Sequence, residues 1–298
     1  MSNCTVFTKR FMAFIAFLTV TLSIGFVSAE EFYVVDSTGN YGATTPEQYK
    51  TNFRASVLTS NAWAPAKLES IWKDAENCKT FVYVHGNLAD RNGAINDGMF
   101  IRQLLNQIIT DKNYKLVVWF WNSSRAGGTM RQDSTNAEIR SKWEAINLAN
   151  FLQAAPEKAQ VRLIGYSFGA NTTLGACQLL SGGVFLGRTA KGTAAEIQSL
   201  LIAPAVPTYA FVSGWEKSLN CQQLCYLTIN SADTGLRWYR FVTPDRQTEA
   251  MGRDGIAGIP ANQQSKVKSY NVTYQVGATH SLSVYLTAAG IFPAFVGK

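Results

Sequence analysis

The sequence predicts an α/β fold built on a doubly wound, mostly parallel sheet with helices on both faces. From residue 79 onward, short apolar runs alternate with helical patterns at spacings that fit βαβ units. The central runs are continuously apolar, as strands covered on both faces must be. Ligands bind such sheets outside the carboxyl ends of the strands. Residues that directly follow a strand are therefore the candidates for a functional site.

The elements are expected in the following order along the chain. Strands are predicted at residues 31–36, 81–84, 116–121, 161–164, 200–203, 226–229 and 270–276. Helices are predicted at residues 99–109, 138–152, 170–180 and 281–289. Residues 37–78 are polar and irregular, with helical stretches around 46–54 and 65–74. The mature chain, residues 30–298, is expected to form a single domain.

Residues 1–29 have the pattern of a secretory signal peptide. Lys9 and Arg10 precede an uncharged apolar run at 11–27, and Val27-Ser28-Ala29 supplies the small residues expected before a cleavage site at Glu30. The pattern predicts an exported protein, periplasmic or secreted. The run of 17 residues also fits an uncleaved membrane anchor, and this alternative stays open. In that case the signal segment would be the chain's contact with a membrane.

The composition favours a globular protein with a sizeable core. The chain is 47% hydrophobic and 16% charged, which excludes an intrinsically disordered class. The formal net charge of +7 is spread over the chain without a basic run, so no nucleic-acid partner is expected. The chain has only two histidines and no CxxC pattern, so neither a zinc site nor any other metal or cofactor is expected.

Four cysteines remain after the predicted signal: Cys78, Cys177, Cys221 and Cys225. Cys221 and Cys225 are four residues apart and could pair if the residues between them form a turn. Buried free thiols are the alternative, particularly for Cys177.

A nucleophile motif stands at the end of the strand predicted at 161–164. Gly165-Tyr166-Ser167-Phe168-Gly169 has the form G-x-S-x-G and is followed directly by a helix of small residues. A serine on a tight strand-to-helix turn has its hydroxyl exposed, and glycines on either side allow neighbouring backbone to approach. The context therefore predicts Ser167 as the nucleophile, with Gly165 and Gly169 as the glycines of the turn. The alternative is a glycine-rich turn without catalytic function.

Together with Val84-His85-Gly86-Asn87 about 80 residues earlier, this motif resembles the α/β-hydrolase superfamily over residues 79–290. Trp119–Ser123 (WFWNS) is similar to uncharacterised lipase-like hydrolases of an exported, esterase-like branch. The resemblance implies that the backbone N–H groups of Asn87 and Phe168 form an oxyanion hole, which stabilises a tetrahedral intermediate. Gly86 allows the loop to turn towards the nucleophile. His85 is interpreted as a buried residue that orders this loop.

His280 is the other histidine, and it lies where the superfamily places its base, just before the closing helix. A serine hydroxyl needs an imidazole to accept its proton. Asp233 lies between Ser167 and His280 in the chain, in the loop that follows the apolar strand 226–229 and Asn230, and is predicted as the acid. Asp245 and Asp254 are the competing carboxylates.

These residues predict a serine hydrolase that cleaves an ester-like bond in a small-molecule or lipid-like substrate through an acyl-enzyme. The alternative is a catalytically inactive protein of the same fold that uses the cleft for binding. Two segments, residues 207–223 and 237–268, are possible caps or lids over the cleft. Their aromatic residues either bind substrate or pack in the core.

Overall fold

The computed structural model describes residues 30–40, 53–60, 62–125, 127–243, 248–288 and 290–297. The predicted signal peptide at residues 1–29 lies outside the described residues. So does most of the helical stretch expected at 46–54.

The described chain contains a sheet of nine strands in the order β3-β2-β1-β5-β4-β6-β7-β8-β9. Only the β1–β2 and β2–β3 pairs are antiparallel, and the other six pairs are parallel. The strands are β1 (Glu31–Asp36), β2 (Arg54–Thr59), β3 (Ala62–Ala66), β4 (Lys79–Val84), β5 (Tyr114–Phe120), β6 (Gln160–Tyr166), β7 (Glu196–Ile202), β8 (Gln222–Ile229) and β9 (Val267–Asn271).

Helices cover both faces of this sheet. They are α1 (Leu68–Trp72), α2 (Arg91–Ile108), α3 (Met130–Gln153), α4 (Gly169–Leu180), α5 (Tyr239–Val242), α6 (Met251–Asp254), α7 (Thr273–Val276), α8 (Leu282–Thr287) and α9 (Ile291–Val296). The helices α3 and α4 pack on each other, while α2 packs with α8 and α9; both groups contact the central strands. The predicted doubly wound, mostly parallel sheet of an α/β-hydrolase fold is confirmed.

The central strands are buried because both of their faces are covered. In β4 every residue from Thr80 to Val84 is buried, and β5 is buried from Tyr114 to Trp119. Burial on both faces explains the apolar runs at residues 81–84 and 116–119 within these strands. The predicted strand positions in this region agree with the structure to within a few residues.

Two helices begin about eight residues earlier than their apolar periodicity predicts. Helix α2 begins at Arg91, where the Asp90 side chain caps it by accepting a hydrogen bond from the Gly93 N–H at 2.6 Å. Helix α3 begins at Met130 with a capping box, in which the side chains of Thr129 and Gln132 each accept from the other's backbone N–H. The first turns are polar, so their helical start is set by caps rather than by an apolar face.

The region at residues 37–78 differs from the prediction. The residues expected to be irregular form β2 and β3, an antiparallel extension of the sheet, and the helix expected at 65–74 is limited to Leu68–Trp72. Pro65 lies in β3, paired with Ser56. Since β3 is at the edge of the sheet, a proline there breaks no ladder on its outer side.

The strand expected at 270–276 is also only partly correct. The strand β9 spans Val267–Asn271, and the residues after it form the short helix α7. The alternating pattern of YNVTYQV therefore overstated the length of this strand.

The four described cysteines are free thiols. The strand β8 begins at the residue after Cys221 and contains Cys225, so the chain between the two cysteines is extended. The Cys221 Sγ lies 3.4 Å from the Cys177 carbonyl oxygen. An extended chain separates residues four apart by roughly 10 Å or more, beyond the reach of a disulfide. The turn that a Cys221–Cys225 pair requires is therefore not formed.

No helix within the described ranges is long and apolar enough to cross a bilayer.

Candidate active site

Ser167 lies on a sharp turn between the end of β6 and the start of α4. Its φ of +53° is a left-handed conformation that side chains rarely adopt. The turn is held by backbone hydrogen bonds on both sides: the Ser167 N–H donates to the Ile202 carbonyl (2.9 Å), and its carbonyl accepts from the Ala170 N–H (3.1 Å) and the Ala205 N–H (3.2 Å). The surrounding backbone thus fixes a strained residue at the carboxyl edge of the sheet.

Glycines at two positions allow the backbone to approach this turn. A Cβ at Gly169 would lie 2.2 Å from the Val84 carbonyl oxygen, so α4 can pack against the end of β4 only with glycine there. A Cβ at Gly86 would lie 3.0 Å from the Ser167 Cβ. The loop after β4 is therefore in direct contact with the nucleophile turn, as the HG-x pattern predicts for a shared site.

The side chains of Ser167, His280 and Asp233 form a continuous hydrogen-bonded series. The His280 Nε2 lies 3.0 Å from the Ser167 Oγ, and its Nδ1 lies 2.7 Å from the Asp233 Oδ2. Chain segments 113 and 47 residues apart meet here. With Nδ1 protonated towards the carboxylate, Nε2 is free to accept the serine proton.

The loops that carry the acid and the base are tied to each other. The Thr234 N–H and hydroxyl both donate to the Ala278 carbonyl, at 3.2 Å and 2.8 Å, and the Asn230 amide donates to the Gly277 carbonyl at 2.8 Å. The Tyr166 hydroxyl, at the end of β6, donates to the His280 carbonyl. The position of the imidazole is thereby determined by hydrogen bonds to the backbone around His280 as well as by the partners of its ring nitrogens.

Asp233 is fully buried, and each of its carboxylate oxygens has a defined partner. Oδ1 accepts from the Leu236 N–H at 2.9 Å, and Oδ2 accepts from the Tyr285 hydroxyl at 2.5 Å as well as contacting His280. Burial alone would raise the pKa of this carboxyl. The hydrogen bond and electrostatic attraction of His280, together with the hydrogen bonds from Tyr285 and Leu236, outweigh burial and lower that pKa. Asp233 is thus held as the anion.

The competing carboxylate that the structure describes, that of Asp254, is not at this position. The Asp254 side chain contacts Arg253 at 3.1 Å in α6. Asp245 lies outside the described residues. Tyr285, by contrast, is part of the site and carries no motif in the sequence; its contact with Asp233 arises from the packing of α8 against the acid loop.

His85 is completely buried beneath the site. Its Nδ1 donates to the Gly86 carbonyl at 2.8 Å, its Nε2 accepts from the Trp121 N–H at 3.2 Å, and its ring stacks on Trp121. Burial lowers the pKa of His85 to about 4, against the opposing effect of these hydrogen bonds. Both ring nitrogens of this neutral imidazole are hydrogen-bonded to backbone groups, so His85 orders the loop.

Asn87 and Phe168 line a cavity of about 230 Å³ together with Ser167 and His280. The remaining lining residues are mostly apolar: Leu88, Ser134, Tyr166, Ala205, Gly235, Leu236, Trp238, Tyr239 and Val242. Among all the described residues that line the cavity, the ionisable side chains are those of His280, Tyr166 and Tyr239. The volume is below the range of about 300–1,000 Å³ typical of pockets for drug-sized ligands.

The two segments considered as lids differ in their placement. In the first, Phe211 and Trp215 are buried in the core, and no residue of 207–223 is among the described residues that line the cavity. In the second, Trp238, Tyr239 and Val242 line the cavity, and Trp238 is 57% exposed at its edge. The start of the second segment therefore forms one wall of the site.

In the parts of the chain that the structure covers, no group of three or more His, Cys, Asp or Glu side chains is arranged to hold a metal ion.

Comparisons with known proteins give a distant likeness. No protein-family model matches this chain, and no curated protein matches it. Among solved structures, an inhibited esterase B of Lactobacillus rhamnosis is similar over 97% of this chain and 92% of that chain, with 12% sequence identity and a TM-score of 0.37. A superposition at this level does not bear on activity. The sheet topology defines the chain as a protein of the α/β-hydrolase fold, and its function has to be inferred from the site.

Proposed function

We propose that this protein is a serine hydrolase that cleaves an ester-like bond through an acyl-enzyme intermediate. The observation that carries the proposal is the series Ser167–His280–Asp233, with contacts of 3.0 Å and 2.7 Å, at the mouth of a cavity. A non-catalytic turn has no requirement for a strained serine that contacts a histidine backed by a buried carboxylate. The fold alone does not carry this function, because many functions share it.

In the first half-reaction, the Ser167 Oγ attacks the carbonyl carbon of the substrate while His280 Nε2 takes the hydroxyl proton. The resulting oxyanion would be stabilised by the backbone N–H groups of Asn87 and Phe168, two residues that line the same cavity as Ser167. His280 then gives the proton to the leaving alcohol, and the acyl group stays on Ser167. Asp233 keeps the imidazole in the required tautomer and stabilises the imidazolium.

In the second half-reaction, His280 takes a proton from water, and the hydroxide formed attacks the acyl carbon. Collapse of the second tetrahedral intermediate returns the proton to the Ser167 Oγ and releases the acid. The His280 side chain is 26% exposed, which gives water access to Nε2.

The cavity favours a small, uncharged acyl group. Its lining offers apolar side chains such as Leu236 and Val242, and it offers no Lys, Arg, Asp or Glu among the described lining residues. Burying an ionised acyl group there would cost free energy without a compensating partner. We expect activity on p-nitrophenyl esters to be highest for short chains.

The proposed chemistry is tested with a fluorophosphonate probe and a panel of p-nitrophenyl esters of rising chain length. The wild-type protein should be labelled at Ser167 and should hydrolyse the esters, and Ser167→Ala should lose both properties while keeping the fold. Ser199→Ala, which changes a buried serine of β7 bonded to Gln222, is the matched control. A wild-type protein that is folded but not labelled would favour the alternative, an inactive binding protein.

We also propose that the protein is exported and begins at Glu30. The support is the sequence pattern of residues 1–29, and β1 begins at the next residue, Glu31. N-terminal sequencing of the native protein should start at Glu30. A sequence that starts at Met1 or Ser2 would favour the membrane anchor.

A further inference from the structure

The Asp233 carboxylate has an uneven set of partners. Its Oδ2 has two close contacts, the Tyr285 hydroxyl at 2.5 Å and the His280 Nδ1 at 2.7 Å, while Oδ1 has the Leu236 N–H at 2.9 Å. A hydroxyl bound to a carboxylate at this distance is a strong, charge-assisted hydrogen bond. The atom that orients the imidazole is thus also the atom that Tyr285 holds.

Tyr285 is the more deeply buried of the two partners of Oδ2. Its side chain is fully buried in α8, whereas the His280 side chain is 26% exposed and lies in the loop before that helix. Together the Tyr285 hydroxyl and the Leu236 N–H hold opposite oxygens of the carboxylate. Two bonds to opposite oxygens fix the rotation of the carboxylate plane, which a single bond does not.

We propose that Tyr285 is a positioning residue for the hydrolytic site: it orients the Asp233 carboxylate and limits how strongly that carboxylate holds a proton on His280. The proposal rests on the proposed function. Tyr285 is not among the residues that line the cavity, so its effect on the reaction passes through Asp233.

The second part of this role follows from the sharing of Oδ2. The Tyr285 hydroxyl neutralises part of the negative charge of the carboxylate, so less of that charge stabilises an imidazolium at His280. Among the described residues, a further titratable group near Asp233 is Tyr166 on β6, which also interacts with Asp97. Tyr166 is bonded to the backbone of His280 rather than to the carboxylate. Tyr285 is therefore the neighbour whose removal changes the carboxylate directly.

Tyr285→Phe tests the proposal, because it removes one oxygen from a buried ring and leaves its shape. We expect kcat on a short p-nitrophenyl ester to fall about tenfold with KM unchanged, since the bond serves orientation and not substrate binding. We expect the acid limb of the kcat/KM profile to move to higher pH, by about half a unit to one unit, because the freed carboxylate holds the imidazolium more firmly.

Tyr114→Phe is the matched control. The Tyr114 side chain is also buried, and its hydroxyl lies 2.9 Å from a carboxylate oxygen of Glu30 and 2.8 Å from the Asn106 Oδ1. Tyr114 is the first residue of β5, so it lies at the amino end of that strand, away from the site at the carboxyl ends. It should lose comparable stability and keep the wild-type pH profile. Thermal melts of both variants report folding, and if Tyr285→Phe does not fold, Tyr285→Met, which also lacks the hydroxyl, replaces it.

A second measurement separates positioning from a structural role. In an Asp233→Asn background, Tyr285→Phe should not lower the rate of fluorophosphonate labelling further, since its effect passes through the carboxylate. Equal pH profiles for wild type and Tyr285→Phe, or additive losses in the double variant, would overturn the inference. If wild-type protein is not labelled at Ser167, the proposed function itself fails, and that outcome is distinct from both.

Discussion

Asp233→Asn should nearly abolish activity without changing the shape of the site. The carboxylate is buried, with Leu236 N–H at Oδ1 and Tyr285 and His280 at Oδ2. An asparagine of the same shape has one acceptor and one donor in place of two acceptors. Because a backbone N–H needs an acceptor, the amide oxygen takes the place of Oδ1 and the NH2 group turns towards His280.

This orientation reverses the polarity at the imidazole. An NH2 group that donates to Nδ1 stabilises the tautomer with the proton on Nε2, and that proton then points at the Ser167 Oγ, 3.0 Å away. The imidazole can no longer accept the serine proton. A wrong tautomer in a Ser-His-Asp site lowers kcat by about 10⁴, so we expect a loss on the order of 10³–10⁴ with little change in KM.

The assay is steady-state hydrolysis of a short p-nitrophenyl ester, with circular dichroism to report folding. Asp254→Asn is the control, since this carboxylate contacts Arg253 in α6 and is the other described candidate for the acid. It should retain wild-type turnover. A folded Asp233→Asn protein that keeps more than a tenth of wild-type kcat would refute the role assigned to Asp233.

Two further predictions concern stability. Glu144 is buried in α3, where it accepts from the Trp119 indole at 2.9 Å, and burial raises the pKa of its carboxyl to about 7. The folded protein then holds this proton more tightly than the unfolded chain. The stability of the wild-type protein should therefore fall, relative to that of Glu144→Gln, as pH rises from about 4.5 to 7. Melting temperatures of the two proteins that change in parallel across this pH range would contradict the prediction. Ser167→Gly should be about 1 kcal/mol more stable than Ser167→Ala in urea denaturation, because glycine adopts the left-handed conformation without strain; equal midpoints would show that the turn is not strained.

The sequence was most informative where a local pattern and its physical cause coincide. The strand that ends at Tyr166 is mostly apolar because it is covered on both faces. The glycines around Ser167 mark a turn where backbone segments pass closely. The antiparallel β2 and β3 carry no such pattern. Their half-exposed residues and Pro65 read as irregular chain, and their strand conformation comes from pairing with β1.

Features that depend on packing between distant segments could not be derived in the same way. The position of Asp233 just beyond a strand predicts it as the acid. Its hydrogen-bond partner Tyr285, by contrast, is determined by how α8 packs against the acid loop. The early starts of α2 and α3 depend on caps in polar segments that lack an apolar face. The motif for Ser167 thus locates the site, while tertiary packing completes it.

The burial of His85 has a practical consequence for work in solution. The chain has two histidines, and His85 has no exposed surface, whereas His280 reaches solvent. An electrophile selective for imidazole, such as an acylating pyrocarbonate, therefore has a single target of this kind in the folded protein. The fraction of activity lost should equal the number of imidazole groups modified per protein molecule. The reagent can therefore be used to count the intact sites in a preparation.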